Sequence, residues 1–97
     1  MTVWFVSRHP GALEWMQRNG MPFDRHVAHI DPNEVKAGDK VIGSLPVNLA
    51  ADICARGAEY WHLSLRLDSA DRGRELSADE LQDYSATLEC FEIRRCL

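Results

Sequence analysis

A short apolar segment near the N-terminus, residues 2–6, ends at Ser7 and is followed at once by a helical pattern. The segment is apolar on both faces, as is typical of a parallel strand covered on both sides. Pro10 is tolerated in a first helical turn and Gly20 is a stop signal, so we predict a helix over Pro10–Arg18. This strand-to-helix junction predicts an α/β fold, in which ligands bind beyond the carboxyl ends of the strands.

Strand and helix patterns alternate along the rest of the chain. We predict strands at Thr2–Ser7, within Phe23–Ile30, at Lys40–Ser44 and at Ala58–Leu67, and helices that begin at Pro46 and, with a Ser77/Glu80 capping box, at Ser77. The last helix should carry Leu81, Tyr84 and Leu88 on one face, and Phe91–Arg94 either extends it or forms a final strand. This alternation predicts a small Rossmann-like fold with three layers and a mostly parallel sheet.

Composition narrows the class of protein. With 97 residues we expect a single domain over 1–97, and 45% hydrophobic with 27% charged residues is ordinary for a soluble globular chain. The net charge of −4 argues against general binding to duplex DNA, which needs many contacts from Lys and Arg. The chain has three cysteines and no C-x-x-C motif, which predicts a cytoplasmic protein with reduced thiols. It has no apolar run near the length of a membrane helix, so no membrane partner is expected.

Two strand-to-helix junctions carry the residues expected to bind a ligand. The first contains Ser7, Arg8, His9, Pro10 and Gly11, and the second contains Gly43, Ser44 and Asn48. Parallel strands end at one edge of a sheet, so the two junctions should meet there. Two helix N-termini and a guanidinium favour an anion such as a phosphodiester. The plain alternatives are a solvated loop at the first junction and ordinary helix capping by Ser44 and Asn48.

A second basic cluster, Arg72 and Arg74, forms either a loop that closes on an anion or a solvated turn. Neither G-x-G-x-x-G nor a P-loop motif occurs, so no dinucleotide or nucleoside triphosphate cofactor is expected. His26 and His29 should lie on an extended segment and point to opposite faces, so no metal site is expected. His62 is interpreted as a structural residue of its strand.

Several longer strings carry a resemblance to a known family: W-F-V-S-R-H-P-G-A-L-E-W, D-R-H-V-x-H, V-I-G-S-L-P-V-N-L-A-A-D, Y-W-H-L-S-L and R-G-R-E-L-S. Over Trp4 to Leu81 the chain resembles the small stand-alone accessory proteins of type III CRISPR systems. The resemblance implies a fold related to the CRISPR-associated Rossmann-like sensor domain and a homodimer. It also implies binding of cyclic oligoadenylate, especially cyclic tetra-adenylate, and its cleavage without a metal by a ring nuclease.

Such cleavage uses the adjacent 2′-hydroxyl as the nucleophile, and we expect Arg8, His9 and Ser44 to form the catalytic group. Arg8 would stabilise the phosphoryl charge, His9 would transfer a proton, and Ser44 would orient phosphate or ribose. A protein that sequesters the ring without cutting it would need the same residue types. A structural subunit of a CRISPR complex would instead use the junction loops as a protein contact.

Overall fold

The computed structural model describes residues 1–65, 76–83 and 85–97. Its elements in chain order are β1 (Val3–Val6), α1 (Pro10–Arg18), β2 (Arg25–Val27), a 3₁₀ turn (Pro32–Glu34), β3 (Lys40–Gly43), α2 (Val47–Ala55), β4 (Glu59–Ser64), α3 (Ala78–Asp83) and β5 (Thr87–Phe91). The helix predicted over Pro10–Arg18 is confirmed at both ends. Within these described ranges, no helix has the length and apolar character needed to cross a membrane.

The described strands form one sheet in the order β2-β1-β3-β4-β5. The first four are parallel and β5 pairs antiparallel with β4, so the predicted α/β fold with a mostly parallel sheet is confirmed. From β1 the chain first adds β2 on one side and then returns to place β3 on the other side. The strand order therefore reverses between β1 and β3, which opens a crevice beyond the carboxyl ends of these two strands.

Both faces of the sheet are buried, and they divide the core in two. Trp4 and Val6 of β1 belong to a cluster with residues of α2, whereas Phe5 belongs to a cluster with residues of α1 and α3. Alternate residues of a strand point to opposite faces, so one short strand contributes to both clusters. The result is the predicted arrangement of three layers, with helices on each side of the sheet.

The end of the chain differs from the prediction. Ser77 and Glu80 do form the predicted capping box, with both hydrogen bonds at 3.2 Å. However, α3 ends at Asp83, and Leu88 lies in β5 rather than on the helix. The helix ends because Ser85 adopts a left-handed conformation (φ 56°) and the N–H of Ala86 donates to the carbonyl of Leu81 at 3.0 Å. The final strand begins at Thr87, before the predicted Phe91–Arg94, and Tyr84 lies outside the described residues.

A buried carboxylate fixes the amino ends of β1 and β3. Asp39 is 4% exposed and accepts hydrogen bonds from the N–H of Thr2 (2.9 Å), the N–H of Lys36 (3.0 Å) and the indole Nε1 of Trp4 (3.3 Å). The backbone donors of Lys36 and Thr2 hold the pKa of Asp39 below its ordinary value, because they stabilise the charged form. This carboxylate joins the start of β1 to the start of β3.

Replacing this carboxylate with an amide tests its contribution. Asp39→Asn places an NH₂ group among donors, and we expect it to lower the free energy of unfolding by about 1.5–3 kcal/mol at neutral pH. The pKa of Asp39 is lowered in the folded state, so its contribution is present above the ordinary aspartate pKa and is lost as the pH falls through the lowered value. Urea unfolding from pH 7 to pH 2 should therefore show the difference between parent and variant shrinking in acid. The control is Asp24→Asn, because the exposed Asp24 carboxylate also accepts a hydrogen bond from β1, from the N–H of Val3 (2.8 Å). An equal loss of unfolding free energy in Asp24→Asn would contradict the role of burial.

At their carboxyl ends, β1 and β3 approach closely because of a glycine. A Cβ at Gly43 would lie 2.7 Å from the carbonyl oxygen of Val6, closer than real Cβ contacts. Gly11 plays a similar part between α1 and the chain before α3, where a Cβ would meet the Leu76 carbonyl and come within 2.9 Å of the Cα of Ser77. Both glycines therefore permit a close backbone approach.

Adding one methyl group at the first of these contacts should separate the strand ends. We expect Gly43→Ala to lower the free energy of unfolding by about 1–3 kcal/mol, because the contacting atom is a backbone oxygen that has little room to move. Thermal and urea unfolding measure the loss. Ser44→Ala is the neighbouring control and should be nearly neutral, because within the described residues the contact of the Ser44 hydroxyl is a long one, 3.5 Å to the carbonyl of Leu63. An unchanged stability of Gly43→Ala would show that the strands can part without cost.

Candidate functional site

A cavity of about 700 Å³ lies at the carboxyl ends of β1 and β3. Among the described residues, its polar lining is formed by Ser7, Arg8, His9, His29 and Ser44. Leucines make up much of its apolar wall (Leu45, Leu49, Leu63, Leu65, Leu76 and Leu81). This is the position in an open α/β sheet at which ligands bind. A cavity with a polar end and an apolar wall suits a ligand that carries both a charged group and a flat apolar group.

The first junction is held in one conformation by its own backbone and by β2. The Ser7 hydroxyl accepts from the N–H of His9 at 3.1 Å, and the N–H of Ser7 donates to the carbonyl of Val27 at 3.0 Å. The His26 ring stacks on Phe5 and its Nε2 lies 3.0 Å from the Ser7 carbonyl. A carbonyl only accepts, so Nε2 of His26 carries a proton there. These contacts fix the turn that presents Arg8.

Among the described residues that line the cavity, Arg8 supplies the guanidinium. Its side chain is exposed, and it forms no ion pair or hydrogen bond with another residue in the described parts of the chain. His9 follows at the N-cap position of α1, where no side chain caps the helix. Arg8 and the N-cap residue of α1 therefore line the same cavity, which favours an anion.

The second junction supplies Gly43 and Ser44 to the same cavity. Pro46, predicted as the first helical residue, is instead the N-cap, and α2 begins at Val47 with no side-chain cap. The alternative interpretation of Ser44 and Asn48 as ordinary caps is therefore wrong. The Ser44 side chain is exposed toward the cavity, and the N–H of Leu45 donates to the Tyr60 hydroxyl at 2.9 Å.

Some candidate residues lie elsewhere. Asn48 is exposed and does not line the cavity, and its carbonyl accepts from Arg95 at 3.3 Å. Pro10 and Gly11 also do not line it, because the first turn of α1 packs toward the chain before α3. Two further candidates, Arg72 and Arg74, lie outside the described residues. Ser7, Arg8, His9, Gly43 and Ser44 are the candidates that the fold brings together.

Sequence reasoning missed two features of the site. His29 was considered only as a metal ligand, yet it lines the cavity from the chain after β2. The hydroxyl of Tyr60, on β4, reaches the loop between β3 and α2. Alternate residues of a strand share a face, so Tyr60 and His62 lie on one face of β4, but which loop they reach depends on the strand order.

The histidines do not form a metal centre with other ligands. Across residues 1–65, 76–83 and 85–97, no three His, Cys, Asp or Glu side chains come together in a group that could hold a metal ion. The cavity wall, in that part of the chain, contains no carboxylate. Its chemistry rests on a guanidinium, two imidazoles, two hydroxyls and the positive ends of two helices.

Comparison with known proteins identifies the family. A family model described as "Putative CRISPR-associated protein (Cas_VVA1548)" matches residues 4–94. Searches of curated proteins and of solved structures returned no match. The matched range includes both strand-to-helix junctions, strands β2 to β5, and all of β1 except Val3. The chain belongs to the Cas_VVA1548 family of CRISPR-associated proteins.

Proposed function

We propose that this protein is a ring nuclease that binds cyclic tetra-adenylate and cleaves it without a metal, in the cytoplasm, to switch off type III antiviral signalling. The observation that carries the proposal is that exposed Arg8 and the N-cap residues of α1 and α2, His9 and Pro46, line one cavity. Membership of a CRISPR-associated family supports the biological setting. The resemblance to type III accessory proteins supports the choice of ligand.

The proposed reaction is an in-line displacement at phosphorus. The 2′-oxygen of one nucleotide attacks its neighbouring phosphate and loses its proton, and the 5′-oxygen of the next nucleotide leaves and gains a proton. The products are a 2′,3′-cyclic phosphate and a 5′-hydroxyl. Arg8 and the helix ends stabilise the charge that grows on the phosphoryl oxygens. His9 transfers a proton, and Ser44 orients the phosphate or ribose while the leucine wall accommodates a base.

The proposal includes a symmetric homodimer. A chain of 97 residues buries a modest core, so covering a further apolar face adds stability. Two protomers would present two equivalent cavities to a ring with approximate two-fold symmetry.

A second candidate is a protein that sequesters the ring and does not cut it. Binding alone needs only Arg8, the helix ends and the apolar wall. Analysis of the products separates the two candidates, and a structural subunit of a CRISPR complex would not bind the ring at all.

One prediction from the proposed function concerns the reaction itself. Purified protein incubated with cyclic tetra-adenylate and EDTA should yield linear products ending in a 2′,3′-cyclic phosphate, identified by mass spectrometry. Arg8→Ala purified in the same way controls for a contaminating nuclease. Binding without cleavage would favour sequestration. Loss of cleavage in EDTA with recovery on adding Mn²⁺ would contradict the metal-free reaction.

A further prediction from the proposed function separates binding from proton transfer. Arg8→Ala should raise the dissociation constant for cyclic tetra-adenylate by about 10- to 150-fold, because a charge-assisted contact worth roughly 1.5–3 kcal/mol is lost. It should also slow turnover. His9→Ala should leave the dissociation constant nearly unchanged and slow single turnover by about 10²–10⁴-fold.

The two variants have simple controls. Arg94→Ala makes the same change of charge at an exposed residue that does not line the cavity, so its affinity should match the parent. No side chain caps α1 at His9, so His9→Ala should retain the helix, which circular dichroism checks. Turnover of His9→Ala at the parent rate would leave catalysis to positioning and electrostatics alone.

A further inference from the structure

We propose that Tyr60 is a positioning residue whose hydroxyl holds the loop between β3 and α2, and with it Ser44, in the geometry that the cavity needs. The part of this inference that concerns cleavage rests on the proposed function. Tyr60 lies on β4, is 1% exposed and does not line the cavity. Its hydroxyl oxygen lies 2.9 Å from the backbone nitrogen of Leu45 and 3.3 Å from the carbonyl oxygen of Gly43. One buried oxygen therefore meets the backbone on both sides of Ser44.

The donors and acceptors around this hydroxyl can all be paired. The N–H of Leu45 only donates, so the Tyr60 oxygen accepts from it. The single hydroxyl proton then has two acceptors, Nδ1 of His62 at 2.6 Å and the carbonyl of Gly43. When Nδ1 of His62 carries a proton, the imidazole donates to Tyr60 and the hydroxyl turns to Gly43. The bond to Leu45 persists in both arrangements, so the loop is held in either state of His62.

Burial keeps the phenol in its neutral form. Desolvation raises the pKa of Tyr60 above its ordinary value, although the N–H of Leu45 acts in the opposite direction. The hydroxyl proton is therefore retained at neutral pH. The connection to Leu45 and His62 does not depend on ionisation of Tyr60.

Besides the Tyr60 hydroxyl, the packing of the Leu45 side chain against the core cluster also holds this loop. Gly43, Ser44 and Leu45 all line the cavity, and α2 begins just after them with no side-chain cap. In the part of the chain that the structure describes, the other side-chain bond of this loop is the 3.5 Å contact from the Ser44 hydroxyl to Leu63. The position of Ser44 therefore depends on its backbone, which the Tyr60 hydroxyl, the packing of Leu45 and the strand pairing of Gly43 hold together.

The test is Tyr60→Phe, which removes one oxygen and keeps the ring in the core. Amide hydrogen exchange at Leu45 should become roughly three- to tenfold faster, since one hydrogen bond is lost. Single-turnover cleavage of cyclic tetra-adenylate should slow by a similar factor, with little change in the dissociation constant. Tyr60→Phe combined with Ser44→Ala should be no slower than the slower single variant, because both changes remove the action of Ser44.

The control is Trp61→Phe at the next residue of β4. Trp61 points to the opposite face and donates to Glu59 at 3.1 Å, so its replacement perturbs the strand and leaves the loop alone. We expect unchanged exchange at Leu45 and unchanged cleavage, even where the melting temperature falls as far as in Tyr60→Phe. A merely structural role for Tyr60 predicts the same behaviour in both variants.

Three results would overturn the inference. The first is an unchanged rate of amide exchange at Leu45 in Tyr60→Phe. The second is an equal change of Leu45 exchange and of cleavage in Tyr60→Phe and Trp61→Phe at matched stability. The third is that the effects of Tyr60→Phe and Ser44→Ala on cleavage are independent and additive. A parent protein that neither binds nor cuts the ring would instead contradict the proposed function. In that event the exchange rate at Leu45 alone decides whether Tyr60 positions the loop.

Discussion

The burial of β1 on both faces is the constraint on which the rest of the structure depends. Trp4 and Val6 pack on one side of the sheet and Phe5 on the other. A strand with no polar face is stable only inside the sheet, with a neighbour on each edge and helices above and below. β1 therefore lies between β2 and β3, and the chain must pass from one side of β1 to the other. That reversal creates the crevice, so the apolar character of three residues determines where the cavity is.

Local sequence signals predicted the start and end of α1 and the start of α3. The prediction was wrong at the end of α3, where the sequence carries no such signal. Pro10 and Gly20 bracket α1 correctly, and the Ser77/Glu80 box marks the start of α3. The end of α3 carries no glycine to mark it. Ser85 adopts the left-handed conformation that glycine usually supplies, so the apolar spacing continued the predicted helix across the real boundary to Leu88. Pairing with β4 then made this segment a strand, which periodicity alone does not reveal.

The residues of the candidate site also divide into those that the local sequence predicted and those that depend on the strand order. Ser7, Arg8 and His9 follow β1 directly, and Gly43 and Ser44 stand at the end of β3, so the parallel sheet brings them together as predicted. Asn48 is beyond the first residue of α2, where the helix has already turned its side chain away from the cavity. The contribution of Tyr60 was out of reach, because it acts from a different strand through a contact that only the strand order creates.

The two chain termini leave the sheet at different places relative to the cavity, and this affects where the protein can be immobilised or fused. The backbone N–H of Thr2 is tied to Asp39 at the amino ends of the strands, so any chain or label attached before Thr2 leaves from the side opposite the cavity. The C-terminal residues run back over α2, where Arg95 contacts Asp52 and the carbonyl of Asn48. They therefore end beside the helix whose N-terminus faces the cavity. Immobilising the protein through its first residues keeps the attachment away from the cavity, whereas a fusion after Leu97 places bulk near α2.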